Sequence, residues 1–282
     1  MSATSAFSCP ESFARLFELL AEPNAVVLGG GTALVGQTRR RKRHLLSLKK
    51  LGLDFIKFEE SAVEIGAMVT ITSLINCDNK GHSGLELLQQ SAKRLASTFI
   101  RNAATVGGST VACFRWSDLP AALLASDAKM NLRFADGTEK EVLATEFFTK
   151  HPARFFRQGA ILRSISLPKR DGFGAFYKMS PLTYGYAIWD VAVFKPKEGA
   201  GAKVALSAGV SLPCRLPLLE KGLDDGIEDR KDLENLASKD LSQLKIVGAR
   251  TVSKEYRTQV APVILADTIE RVLAGKGGIN EN

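Results

Sequence analysis

The feature that most restricts this chain is the stretch Leu95 to Asp127, LASTFIRNAATVGGSTVACFRWSDLPAALLASD, which sets two adjacent glycines ahead of two helix starts. Gly107 and Gly108 let the backbone approach another group closely and expose its N–H groups. The pattern after this turn predicts a short helix. Ser117-Asp118-Leu119-Pro120 then opens a second, with Ser117 as N-cap and Pro120 in the first turn. Helix starts carry unpaired N–H groups and partial positive charge, so the segment suits something anionic and polar held against a packed core. Taken alone, TVGG is equally a tight turn between buried helices.

A second glycine loop shifts that balance. Val26-Val27-Leu28-Gly29-Gly30-Gly31-Thr32-Ala33-Leu34-Val35 reads as an apolar strand ending in a turn where side chains would be in the way, followed by a helix over 32–38 capped by Thr32. Two such loops point to one long ligand, such as a dinucleotide, lying across both. The window Gly31 to Thr38, GTALVGQT, nearly matches a P-loop, but Gln37 stands where the lysine must be, so the nucleoside triphosphate reading fails. A strict GxGxxG is absent too.

The order and spacing of VLGGGTALV and IRNAATVGGSTVACFRWSDLPAALLASDA, continued by AILRSISLP, AFYKMS and SKEYRTQVAPVILADTIERVL, resembles the flavoprotein subunit of the molybdenum hydroxylases, the group of the xanthine dehydrogenases and aerobic carbon monoxide dehydrogenases. The resemblance spans nearly the whole chain. It implies an α+β fold: a two-subdomain FAD-binding domain of the p-cresol methylhydroxylase/vanillyl-alcohol oxidase type over 1–170, divided near 52, and a small C-terminal α+β domain over 171–282.

Carried over residue by residue, the resemblance places FAD against Val27, Leu28, Gly29, Gly30, Gly31, Thr32, Ala33 and Leu34 in the first loop. It adds Leu95, and Thr105, Gly107, Gly108, Ser109 and Ala112 in the second. Ser117 and Asp118 match the Ser-Asp pair beside the cofactor, Ile161 and Leu162 a pair packing near the isoalloxazine, and Lys178 a basic residue near the ring. Asp118 is then either an acceptor for ribose hydroxyls or only a helix cap. Lys178 either stabilises negative charge on reduced flavin or is an ordinary surface lysine, and Ile161 and Leu162 would be core in any soluble fold. Ser109 stands where the family has asparagine, and Ala33 where it has a polar residue.

Composition excludes several other classes. No run approaches the roughly 20 apolar residues of a membrane span, and MSATSAFSCPESFARLF lacks the regions of a secretory signal, so the cytoplasm is the expected compartment. Cys9, Cys77, Cys113 and Cys214 are scattered without metal-ligand spacing, so no metal site is expected. The net charge is +8, and seven of the twelve residues from Arg39 to Lys50 are Lys or Arg, but no aromatics interleave them. A solvated loop or subunit contact is expected there rather than nucleic acid. His44, His82 and His151 lack a paired nucleophile or carboxylate, so no catalytic side chain is expected and any reaction belongs to a cofactor.

Periodicity predicts helices over 10–21, after Thr70, through Leu85 to Ala96, and over 218–223, 232–237 and 252–274, the last with Tyr256, Val260, Val263, Ile264, Ala266, Asp267 and Val272 on its apolar side. Strands are expected at 25–28, 44–48, 53–58, 62–67, 129–134, 138–142, 161–167, 174–179, 187–194 and 203–212, with 169–172 as linker. The resemblance implies an FAD-binding electron-transfer subunit that receives electrons from a partner iron-sulfur subunit and passes them to NAD+ or another acceptor, with the molybdopterin site on a third chain. Two alternatives stand: a lone flavin reductase of the UDP-N-acetylenolpyruvoylglucosamine reductase type, and a scaffold subunit that has lost FAD.

Overall fold

The computed structural model describes residues 6–34, 43–157, 159–199, 201–248 and 252–275. The first of the three sheets among the described residues is parallel, in the order β1-β3-β2, from β1 (Ala6–Ser8), β2 (Ala25–Leu28) and β3 (His44–Ser47). Helix α1 (Phe13–Leu20) covers it and buries Leu16, Phe17 and Leu19. It starts at Phe13 rather than Pro10 because Ser12 takes the N-cap, its hydroxyl accepting from the Arg15 N–H. The three residues of β1 are too short to show a period, and the sequence reading missed them.

The second sheet is antiparallel, in the order β4-β5-β8-β6-β7. It comprises β4 (Ile56–Phe58), β5 (Ala62–Gly66), β6 (Lys129–Phe134), β7 (Glu139–Leu143) and β8 (Ala160–Pro168). Helices α2 (Ile71–Asn76), α3 (Ser83–Lys93), α4 (Thr98–Ala103), α5 (Val106–Ala112), α6 (Leu119–Ala125), α7 (Ala144–Phe147) and α8 (Ala153–Arg157) accompany it. Both hairpins, β4–β5 and β6–β7, lie where the alternating apolar runs put them. A register shift at Asn131/Leu132 lets β8 serve two cores: Ile161 packs with Leu16 and Leu46, Leu162 with Leu132 and Ile165.

The third sheet runs β12-β11-β10-β9, from β9 (Gly172–Met179), β10 (Trp189–Pro196), β11 (Lys203–Leu206) and β12 (Cys214–Arg215), all antiparallel. Its period of two divides its side chains between layers. Phe176, Ala192, Phe194 and Ala205 join the core that holds α3 and α6. Ala175, Val191, Val193, Val204 and Leu206 face α9 (Pro217–Asp224), α10 (Arg230–Ser242) and α11 (Lys254–Leu273).

Two expectations need correction. The linker at 169–172 is tied down: Lys169 N–H donates to the Ser61 carbonyl, Arg170 pairs with Asp127 at 2.5 Å, and Gly172 already belongs to β9. Helix α11 leaves Tyr256 and Val263 exposed and buries Arg257, Ala261, Leu265 and Ile269. Ile264, Ala266 and Val272 are buried as expected, and Arg257, a charged residue outside the expected face, is drawn in beside them by donating to the Ile188 carbonyl just before β10. Among the described residues no helix is long and apolar enough to cross a membrane.

Candidate functional site

Strand β2 delivers the first glycine turn to the junction between α4 and α5. A Cβ on Gly29 would stand 2.7 Å from Thr105 Oγ1, and one on Gly30 would overlap the carbonyl of Ala103. The two turns therefore face one another, with backbone on backbone. The sequence reading assigned these glycines to close approach of a ligand; their first duty is to seat one turn on the other. Gly107 does the same on the far side, where a Cβ would lie 2.6 Å from Ala67 Cβ. Gly31 has φ 76°, in the left-handed region that other residues avoid.

The backbone donors divide unequally between the turns. Gly107 and Gly108 lie inside the first turn of α5, not in a turn before it, because Thr105 caps that helix. Val106 N–H donates to the Val69 carbonyl at 2.9 Å, Gly107 N–H to Ala67 at 3.0 Å and Gly108 N–H to Thr105 Oγ1 at 3.1 Å. Those N–H groups are already used, contrary to the expectation that both loops offer them. The N–H groups of Gly29, Gly30, Gly31 and Thr32 find no acceptor among the described residues. Unpaired, consecutive and half-buried in Gly29 to Gly31, they are donors that could receive an anion. Facing them, Gly108 is exposed and the half-buried Ser109 hydroxyl makes no hydrogen bond among the described residues. Thr32, Ala33 and Leu34 are in turn conformation, and 35–38 of the expected helix lie outside the described residues, as do 39–42 of the basic run.

A buried ion pair lies beyond α5. Helix α6 starts at Leu119 with Asp118, not Ser117, in the cap position, and neither residue caps it. The Asp118 carboxylate is instead drawn to Lys178 on β9, whose Nζ lies 2.6 Å from Oδ1 and also donates to the Arg94 carbonyl at 3.0 Å. Side-chain exposure is only 6% for Asp118 and 4% for Lys178, which rules out both the cap and the surface-lysine readings. Burial pushes the Asp118 carboxyl up to about 6, against the pull of Lys178.

The remaining expected residues are dispersed around these features. Val27 and Leu28 are half-buried at the end of β2. Leu95 is half-buried, and its carbonyl accepts from Arg101 Nη1 at 3.0 Å, holding the chain that enters α4. Ala112 ends α5, just before Cys113 in the left-handed region. Ile161 and Leu162 are buried and turn toward different cores. Their strand is still tied to α5, since Ala67 N–H donates to the Arg163 carbonyl at 2.9 Å while the Ala67 carbonyl takes Gly107 N–H.

Sequence reasoning missed Ala103 and Ala67 as contact surfaces for the glycines, and Asp190 beside Lys178. It also missed an exposed stack of Phe114, Trp116 and Tyr186, with ring centroids 5.2 Å and 4.6 Å apart, which bridges the α5–α6 loop and the β9–β10 loop. Phe114-Arg115-Trp116 between two helix starts was the available signal. His82 Nδ1 caps α3 by accepting from Leu85 N–H and His151 Nδ1 accepts from Ala153 N–H, whereas His44, contrary to expectation, does have a hydroxyl and a carboxylate beside it, Ser8 at 2.8 Å and Glu22 at 2.9 Å, brought there from β1 and from just beyond the end of α1.

Residues 3–170 match the family model for the FAD binding domain in molybdopterin dehydrogenase. The glyceraldehyde dehydrogenase medium chain of Sulfolobus acidocaldarius is 26% identical over 257 residues, covering 88% of this chain and 91% of that one. The 6-hydroxypseudooxynicotine dehydrogenase complex subunit alpha of Paenarthrobacter nicotinovorans is 25% identical over 275 residues, covering 93% and 92%. In fold, the chain superposes on a chain of carbon monoxide dehydrogenase from Hydrogenophaga pseudoflava with a TM-score of 0.88 at 22% identity, over 97% of this chain and 99% of that one.

Proposed function

Because this chain belongs to the family of FAD-binding domains of molybdopterin dehydrogenases, we propose that it is the electron-transfer subunit of a multi-chain molybdenum hydroxylase, holding FAD between its two glycine turns. The observation that carries this reading is the row of unpaired N–H groups from Gly29 to Thr32, set directly against Thr105 and Ala103. A diphosphate satisfies such a row of donors. FAD, when bound, supplies the acceptance of two electrons and their return to an acceptor.

The chain's own residues hold and orient that group. Gly29 to Gly31, with Thr32, donate to the diphosphate, and Val27, Leu28, Ala33 and Leu34 shape the walls of that turn. Ser109 adds a hydroxyl from the facing helix, with Gly108 leaving space beside it. Asp118 accepts from the cofactor's hydroxyls while Lys178 balances its charge. Leu95, Ala112, Ser117, Ile161 and Leu162 back the site. Residues 1–170 form the flavin domain, divided near 52, and 171–282 the C-terminal domain.

One relative is a medium chain and another a complex subunit, which supports placing the iron-sulfur clusters and the molybdopterin on partner chains. The electrons pass on to NAD+ or another acceptor. The test is purification of the native assembly, anaerobic reduction with dithionite and mixing with NAD+. Flavin released on denaturation in stoichiometric amount, partner chains carrying iron and molybdenum, and reoxidation by NAD+ support the proposal. A chain that takes up no added FAD overturns it; reoxidation only by a quinone or oxygen replaces NAD+ as acceptor.

A further inference from the structure

Lys178 serves two carboxyl groups, of which only one touches it. Asp190 lies directly opposite it in the β9–β10 ladder, and side chains so paired point to the same face of a sheet. Asp190 is 0% exposed, and neither of its oxygens has a hydrogen-bond partner among the described residues. The buried Ser207 is its neighbour, its N–H donating to the Asp190 carbonyl at 3.0 Å and its hydroxyl lying beside the carboxyl. With both carboxyls ionised, one lysine would leave an uncompensated charge in the interior, where such groups take up a proton instead. Asp118 has the lysine at 2.6 Å, so the proton falls to Asp190.

We propose that Asp190 is a positioning residue held as the neutral acid beside the Asp118–Lys178 pair, so that the lysine's single charge stays with Asp118 and the flavin site. Ionising Asp190 draws Lys178 away and weakens flavin binding. This second half rests on the flavin reading; the protonation does not. The charged residues on the elements around this end of β10 are Lys178 on β9, Asp118 before α6, Arg94 after α3 and Arg257 on α11, whose guanidinium donates to the Ile188 carbonyl. Burial holds the Asp190 carboxyl well above the usual carboxylate range and the Asp118 charge adds to this, while Lys178 and Ser207 pull it back.

A carboxyl raised in the folded state contributes stability below its unfolded value, and that stability is lost as pH rises through the folded value. The experiment compares urea unfolding of the full-length wild type and Asp190→Asn between about pH 5 and about pH 9, with FAD affinity measured at each pH by flavin fluorescence. The expected result is a D190N midpoint equal to or above wild type, with the gap widening as pH rises. Wild-type FAD affinity falls by up to about tenfold per pH unit beyond the Asp190 titration, and D190N abolishes that slope. A D190N midpoint below wild type throughout would mean an ionised, paired Asp190 and overturns the proposal; so does a pH slope of FAD affinity that D190N leaves unchanged. If D190N does not fold, 13C-aspartate NMR of the wild type at about pH 8 decides: a carboxyl signal still at its protonated position supports it, and complete ionisation overturns it. If neither protein binds FAD, unfolding and NMR still decide the protonation, and the failure belongs to the flavin reading.

Discussion

The backbone of Gly30 is seated on the carbonyl of Ala103 so closely that a single methyl group would overlap that oxygen. Since the obstacle is main chain rather than the end of a flexible side chain, no rotamer change relieves it. The contact joins the end of the first glycine turn to the end of α4, and so sets the distance between the two halves of the proposed diphosphate site.

Gly30→Ala is therefore expected to separate the turns, abolishing FAD retention and lowering stability by about 1–3 kcal/mol. Gly108→Ala provides the contrast. Its Cβ would meet only Thr105 Oγ1, at 2.9 Å, and the position is exposed within a helix. The helical gain from glycine to alanine, about 0.5–1 kcal/mol, offsets that crowding. G108A should fold with near wild-type stability and lose FAD only if the cofactor approaches this face. Urea unfolding and the flavin released on denaturation read both effects.

Gly107→Ala acts elsewhere. Its new methyl would press on Ala67, which links α5 to β8 through paired backbone hydrogen bonds. We expect a loss of about 1–3 kcal/mol in unfolding free energy, with no loss of flavin from the protein that remains folded.

Thr105→Val removes the hydroxyl that accepts the Gly108 N–H and keeps the side-chain volume. Loss of this cap should destabilise by about 1 kcal/mol. Amide exchange should show the loss first at Gly108, in the opening turn of α5.

Burial pushes the thiols of both Cys113 and Cys214 up to about 12. Thiolate is the reactive form, so neither should be alkylated by iodoacetamide near pH 8 until denaturant is added. Peptide mass spectrometry gives the answer, and rapid labelling of Cys113 in the folded chain would contradict its placement under the α5–α6 junction.

Most of the elements could be read from local pattern. Strand β2 begins and ends at the residues expected, Thr70 caps α2 through its hydroxyl as expected, and the Asp136-Gly137 turn joins β6 to β7. Such features depend on residues a few positions apart. The Ser117 cap failed because Asp118 had a better partner in Lys178, sixty positions away and invisible to any local rule. The apolar side of α11 was legible in part: Ile264, Ala266 and Val272 are buried as expected, but Arg257 joins them because its guanidinium donates to the Ile188 carbonyl while Trp189 Nε1 donates to the Arg257 carbonyl.

By itself, the order of residues determined the element types, the positions of the glycine turns and, through the succession of motifs, the flavin family, because backbone preference and side-chain period act over short spans. Tertiary structure alone decided which glycines are spent on packing and which N–H groups stay unpaired, and it alone set two carboxyls against one lysine. Those outcomes depend on how close distant segments come, and on which of several partners a buried charge reaches once water has been excluded.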